Sequence, residues 1–182
     1  QKYMIIDGQQ RMTTLTLLLL ALRDYAIKNP GDTTINSRRI DNMLLKNEYE
    51  VGDERYKLLL TETDRNILIS LVEEKPIAEG IRSRLIENYK FFTGKLADKE
   101  IQPAEVYESI GKLQIVNITL DRTVDDAQAI FESLNSTGKE LSESDLIRNY
   151  VLMGLEPSEQ TYVYEHLWRP MEQLFIYEKT KW

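Results

Sequence analysis

Near the start of the chain, Asp7-Gly8-Gln9-Gln10-Arg11 brings together the side chains that handle a phosphate. The motif lies between a short apolar run, Tyr3 to Ile6, and a leucine-rich stretch. That order predicts a strand turning into a helix through a glycine. Such a turn leaves backbone N–H groups at the helix start, and with the helix dipole they attract an anion. Gly8 lets the backbone come close to a ligand. Arg11 offers a bidentate fork to phosphate oxygens. Asp7 could hold Mg²⁺ or a sugar hydroxyl, and Gln9 and Gln10 could orient a water or bind phosphate. Thr13 and Thr14 add hydroxyls in the first turn. A plainer reading stands beside this one: Asp7 caps the helix and Arg11 pairs with a surface acid. Core packing requires neither adjacent glutamines nor an arginine at this position, which favours the phosphate site.

A second polar loop, Asn135-Ser136-Thr137-Gly138-Lys139, falls between two helical patterns. Gly138 suits a helix end with positive φ. Asn135, Ser136 and Lys139 could face a ligand, and Arg148-Asn149 on the following helix could point back at it. The plain alternative is a helix–turn–helix corner with a solvated lysine. The loop is not a Walker A motif, because Ser133 and Glu140 stand where that motif needs its first Gly and its Ser or Thr. Asp125-Asp126 reads as an acid-rich helix start, and Arg38-Arg39 as a solvated pair. His166 beside Trp168 reads as packing.

Composition removes several function classes. The chain has 182 residues, 42% of them hydrophobic, enough for a real core in a single domain. It has no cysteine, so disulfides, thiolate metal sites and cysteine nucleophiles are excluded. With one histidine, it cannot supply a two-imidazole zinc site or a His-Asn-His nuclease by itself. Its net charge of -7 disfavours autonomous, non-specific DNA binding. Leu15 to Leu22 is too short to span a bilayer, and Arg23-Asp24 follows it. No secretory leader pattern is visible. The expected setting is the cytoplasm, with no membrane partner. The chain opens without Met, directly before an apolar run. Residues 1–182 are therefore read as a single domain excised from a longer protein, with upstream strands and a C-terminal domain lying outside it.

The elements that must position these loops follow from periodicity. Met12, Leu15, Leu18, Leu19, Leu22 and Ala26 mark a helix, apolar nearly all round and so central, ended by Asn29-Pro30-Gly31-Asp32. A short helix is expected around Ile40 to Leu45. Alternation of Tyr56, Leu58 and Leu60 predicts a strand over 55–60. Thr61 with Asp64 starts a helix running to about Glu73, and Pro76 separates it from the next. Ile81, Leu85, Tyr89, Phe92 and Leu96 predict a helix from Ala78 to Ala97. Pro103 opens another, ending near Lys112. Val116, Ile118 and Leu120 predict a half-buried strand. Ala127, Ile130, Phe131 and Leu134 mark a further helix. Ser142 caps one that runs to Met153, and Pro157 opens a last one that should break or kink before Pro170. The sum is an α+β fold in which helix predominates.

Tyr3 to Leu15 resembles the signature of the N-terminal domain of GmrSD-type restriction proteins. Ile130 to Ser142, followed by Asp145-Leu146-Ile147-Arg148-Asn149-Tyr150, resembles that family's second signature, in the same order. The resemblance covers nearly the whole chain, although residues 30–110 match only in general helical pattern. It implies a ParB- and sulfiredoxin-like fold, with a few short strands and a helical bundle. It also implies binding and hydrolysis of a nucleoside triphosphate with Mg²⁺, in bacterial defence against phage. Asp7, Gln9, Gln10 and Arg11 would be the catalytic residues, with Asp7 also holding the metal. Gly8, Thr13, Asn135, Ser136, Gly138, Lys139 and Arg148 would bind the nucleotide. The implied partners are a C-terminal nuclease domain or partner subunit and, indirectly, DNA. The chain itself carries no His-Asn-His motif, and without cysteine it cannot perform sulfiredoxin chemistry. The alternative function is a non-catalytic scaffold that senses a nucleotide or DNA.

Overall fold

Leucines at nearly every position from 15 to 22 produce α1, Gln9–Lys28. The computed structural model describes Tyr3, Ile5 and residues 7–60, 62–78, 80–98, 101–120, 130, 143–153, 155–172 and 174. The chain divides into two compact units, Gln1–Val116 and Asn117–Trp182.

In the first unit, the later turns of α1 are buried on every side. Leu17, Leu19, Leu20, Ala21, Leu22, Arg23 and Ala26 are all shielded. At about 100° per residue they cover the whole circumference, so α1 is the central rod. Its first turn is exposed, at Gln9, Gln10, Arg11 and Met12. It stops as expected at Asn29, whose backbone N–H and side-chain amide both donate to the Tyr25 carbonyl.

The other helices wrap this rod. α2, Ser37–Arg39, is capped by Asn36, whose Oδ1 accepts from the Arg39 N–H at 3.0 Å. It continues as a π-helical turn, Ile40–Leu45, that buries Ile40 and Leu45. A 3₁₀ turn spans Gly52–Arg55. α3, Glu62–Val72, buries Ile67, Leu68 and Val72. α4, Arg84–Ala97, packs along α1 through Leu85, Tyr89, Phe92 and Leu96, a stripe at helical spacing. α5, Pro103–Gly111, also packs on α1. Each fully buried leucine contributes about 1.5–3 kcal/mol.

Several sequence expectations need correction. α4 begins at Arg84 rather than Ala78: Gly80 has φ +84°, and the Ser83 hydroxyl caps the helix by accepting from the Leu85 N–H. The strand expected over 55–60 reduces to one antiparallel bridge, Tyr56 to Lys46. Tyr56, Leu58 and Leu60 rest on the helical core instead. The segment 113–120 has no regular structure and joins no strand among the described residues, with Val116 84% and Ile118 65% exposed. Tyr3 and Ile5 lie outside any strand. Alternation thus marked amphipathic chain, but a strand also needs a neighbour to accept its hydrogen bonds. The described fold is helix-predominant.

The second unit contains α6, Glu143–Met153, and α7, Pro157–Val163. α7 runs into a π-helical turn, Tyr164–Trp168, and helix resumes around Pro170. The distortion expected before Pro170 is this wide turn, where Arg169 N–H bonds the Tyr164 carbonyl. Ile130 is helical, and the rest of the helix expected over 127–134 lies outside the described residues. No helix among the described residues is long and apolar enough to cross a membrane.

Candidate functional site

Gly8 is the first residue of the site to be explained by its backbone. It sits at the N-cap of α1 with φ +85° and ψ 9°, in the left-handed region, and no side chain caps the helix. Asp7 therefore does not perform the capping that the plain reading assigned it. Its Oδ2 accepts from Arg11 Nη2 at 2.7 Å, one helical turn on. The other half of the plain reading holds: Arg11 pairs with an acid, and that acid is Asp7. The guanidinium lies over Gly8, where an added Cβ would stand 3.4 Å from Nη2. Gly8→Ala is expected to lower stability by about 1–2 kcal/mol, chiefly from the left-handed backbone. An unchanged melting temperature would show that the turn has no need of glycine.

The neighbouring polar groups are tied to the backbone. Gln9 Nε2 donates to the Ile5 carbonyl at 2.7 Å, binding the incoming chain to the helix start. Thr13 and Thr14 hydroxyls donate to the carbonyls of Gln9 and Gln10, each at 2.8 Å, so their protons are engaged within α1. Gln10 is exposed. The structure thus brings Asp7, Gly8, Gln9, Gln10, Arg11 and Thr13 together at one helix end.

Asn135, Ser136, Gly138 and Lys139 lie outside the described residues, as do Asp125 and Asp126. Arg148 is on α6, where its Nη1 donates to Glu172 Oε1 at 3.0 Å, an oxygen that also accepts from Trp168 Nε1 at 2.9 Å. His166 stacks on Tyr162 with ring centroids 4.5 Å apart, as packing requires. No group of three or more metal-ligating side chains gathers among the described residues.

Sequence reasoning missed a cluster of charges inside the first unit. Arg23, 1% exposed, donates to Asp24 at 2.8 Å, to Asp41 at 3.0 Å, and to the carbonyls of Val72 at 2.7 Å and Leu71 at 3.0 Å. Asp41 also pairs with Lys46 at 2.8 Å, and Glu73 with Arg55 at 3.0 Å. Asp24 accepts from the Tyr89 hydroxyl. Arg23 is thereby joined to α3, α4 and the π-helical turn. Burial alone would discourage its charge, but Asp24 and Asp41 outweigh that and raise its pKa. Burial and the Asp24 carboxylate push the Tyr89 hydroxyl well above its usual range. The signal was available: a charged pair, Arg23-Asp24, inside a helix otherwise apolar all round.

One member of the cluster gives a pH dependence. Burial would raise the Glu73 carboxyl, yet the Arg55 hydrogen bond and the Lys46 charge hold it below its ordinary value. A depressed folded pKa contributes stability that is fully present above the unfolded value, about 4.3, and is lost as pH falls through the folded one. Asp32, held by the Thr34 hydroxyl and N–H, acts with the same sign. The urea midpoint is expected to stay level from pH 7 to about 5 and to drop below about 4.3. Glu73→Gln should flatten that drop, and an equal slope in the variant would remove Glu73 from the account.

Two signature loops in order, one of them built as an uncapped, glycine-led helix start, are the features to set against known proteins. No curated protein and no solved structure matches the chain. The family model described as GmrSD restriction endonuclease, N-terminal domain, matches residues 1–152, a span that holds both loops, and the chain belongs to that family.

Proposed function

We propose that the Asp7–Arg11 turn binds the phosphates of a nucleoside triphosphate and hydrolyses it, as the regulatory part of a bacterial anti-phage restriction protein. The observation that carries this reading is the uncapped start of α1, with Gly8 in the left-handed region and Arg11 astride it. Backbone N–H groups and a guanidinium then meet at one point, the arrangement a phosphate needs. Arg11 takes phosphate oxygens, Gly8 lets them approach, and Gln9 or Gln10 orients the attacking water. Phosphoryl transfer asks for little more than such positioning and charge neutralisation.

The Asp7–Arg11 pair is compatible with this. An exposed ion pair is worth about 0–1 kcal/mol, so a multiply charged phosphate can take Arg11 from it. The Asp7 carboxylate is then released. One carboxylate is what Mg²⁺ carried on nucleotide phosphates commonly takes from a protein. Mg²⁺ bound there would neutralise phosphate charge. As the resemblance implies, Asn135, Ser136, Gly138, Lys139 and Arg148 would also bind the nucleotide. A ParB- and sulfiredoxin-like arrangement belongs to the same proposal.

The second reading, a non-catalytic sensor of nucleotide or DNA, draws on the same ion pair. Arg11 and Asp7 engage each other, and Thr13 and Thr14 engage their own helix, which suits a binding switch as well as a catalyst. Calorimetry with ATP, GTP and CTP beside a hydrolysis assay, on wild type and Arg11→Ala, separates the two. Turnover lost in the variant supports catalysis. Binding without turnover in the wild type supports the sensor.

A further inference from the structure

Leu45 and Lys46 are buried and Tyr56 rests on the core, and the residues between them form a loop on the first unit. Its base is closed by backbone bonds, from Lys57 N–H to the Leu45 carbonyl at 3.0 Å and from Asn47 N–H to the Arg55 carbonyl at 2.7 Å. Its outer part is held as well. Glu50 N–H reaches the Asn47 carbonyl at 3.2 Å, Gly52 turns the chain with φ +62°, and Asp53 pairs with Arg65 of α3. Asn42 donates to Glu48 Oε2 at 2.8 Å, which ties the loop to the π-helical turn.

On this frame Tyr49 and Val51 stand 87% and 85% exposed. Met43 and Leu44, next to the tied Asn42, are exposed too. Single exposed apolar side chains are ordinary, but four on one pinned segment make a patch that the fold itself does not use. A loop already ordered loses little entropy on binding, and tyrosine brings large contact area with few rotatable bonds. Glu48, Glu50 and Glu54 are exposed in the same segment. The cations at its base, Lys46 and Arg55, pair with Asp41 and Glu73 instead. These acids decide what covers the patch. Nucleic acid or an anionic membrane would meet like charge, on a chain of net charge -7. A second copy joined through the same patch across a two-fold axis would set acids against acids. We propose that residues 43–54 dock a segment of another protein that carries apolar side chains among lysines or arginines. The stems of those cations would cover the apolar patch while their charges reach the glutamates. The surface shares no residue with the Asp7–Arg11 turn, so it stands whether or not that turn binds a nucleotide.

The test is titration of the whole chain, read by fluorescence anisotropy, with a synthetic amphipathic peptide of leucine and lysine, beside the same peptide with glutamate for lysine. The lysine peptide should bind and the glutamate peptide should not. Tyr49→Ser with Val51→Ser should weaken binding about tenfold or more, as truncating central contacts does, and leave its salt dependence alone. Glu48→Gln with Glu50→Gln keeps an acceptor for Asn42, so it should weaken binding and flatten its fall with salt. Glu105→Gln with Glu108→Gln removes the same charge from α5 and should change nothing. All of these side chains are exposed, so the fold is preserved. A lysine peptide that fails to bind the wild type, or a glutamate peptide that binds as well, overturns the proposal. So do serine variants that bind like the wild type. An α5 variant that loses as much as the Glu48 and Glu50 variant also overturns it, because binding then follows net charge alone.

Discussion

Replacing Arg23 with methionine is expected to destabilise the first unit by about 3–5 kcal/mol, the usual range when one partner of a buried ion pair is removed. Methionine fills much of the same space, so the loss is electrostatic rather than a cavity. Asp24 and Asp41 would each lose the guanidinium that offsets their charge. The carbonyls of Leu71 and Val72 would also lose their guanidinium donor. Those two belong to the last turn of α3, where the regular helical N–H partners run out and only the Glu74 N–H, at 3.4 Å, still reaches the Leu71 carbonyl. Urea denaturation measures the change directly. A loss under about 1 kcal/mol would mean that water or Lys46 replaces the guanidinium, and that the cluster is not what joins α1 to α3.

Arg11→Ala is expected to act in the opposite way, on binding and not on folding. Hydrogen bonds to a charged partner contribute about 1.5–3 kcal/mol each. Loss of even one such bond should therefore weaken nucleotide binding about ten- to hundredfold. Folding should scarcely change, because Arg11 is 74% exposed and its bond to Asp7 is a surface pair. Calorimetry, a turnover assay and a melting curve on one preparation separate the effects. Equal affinity and equal turnover in variant and wild type would remove Arg11 from the site. A large fall in melting temperature would show instead that the Asp7–Arg11 bond holds the helix start together.

The contrast between these arginines shows how far sequence reading reached. Arg11 was legible because its surroundings are local: a glycine, a helix start, and a partner four residues away. The motif left two readings open, and the structure took something from each, with Arg11 on an acid and the helix uncapped. Arg23 was visible as a charge in an apolar helix. Its partners Asp41, Leu71 and Val72 lie 18, 48 and 49 residues further on, and nothing in the local pattern names them.

The same distinction holds for the fold. Local pattern was enough to specify α1, its end at Asn29, the helices from Pro103 and after Ser142, and the family. Each helix rests on bonds between residues four apart, so its pattern is written locally. Packing between distant segments decided that Tyr56, Leu58 and Leu60 would lie on helices rather than in a sheet. It also decided that Val116 and Ile118 would stand exposed. A strand is completed by a neighbour that its own residues do not specify. The charge cluster is of the same kind. It arises where segments far apart in the chain meet, and distance along the chain hides such meetings from any local reading.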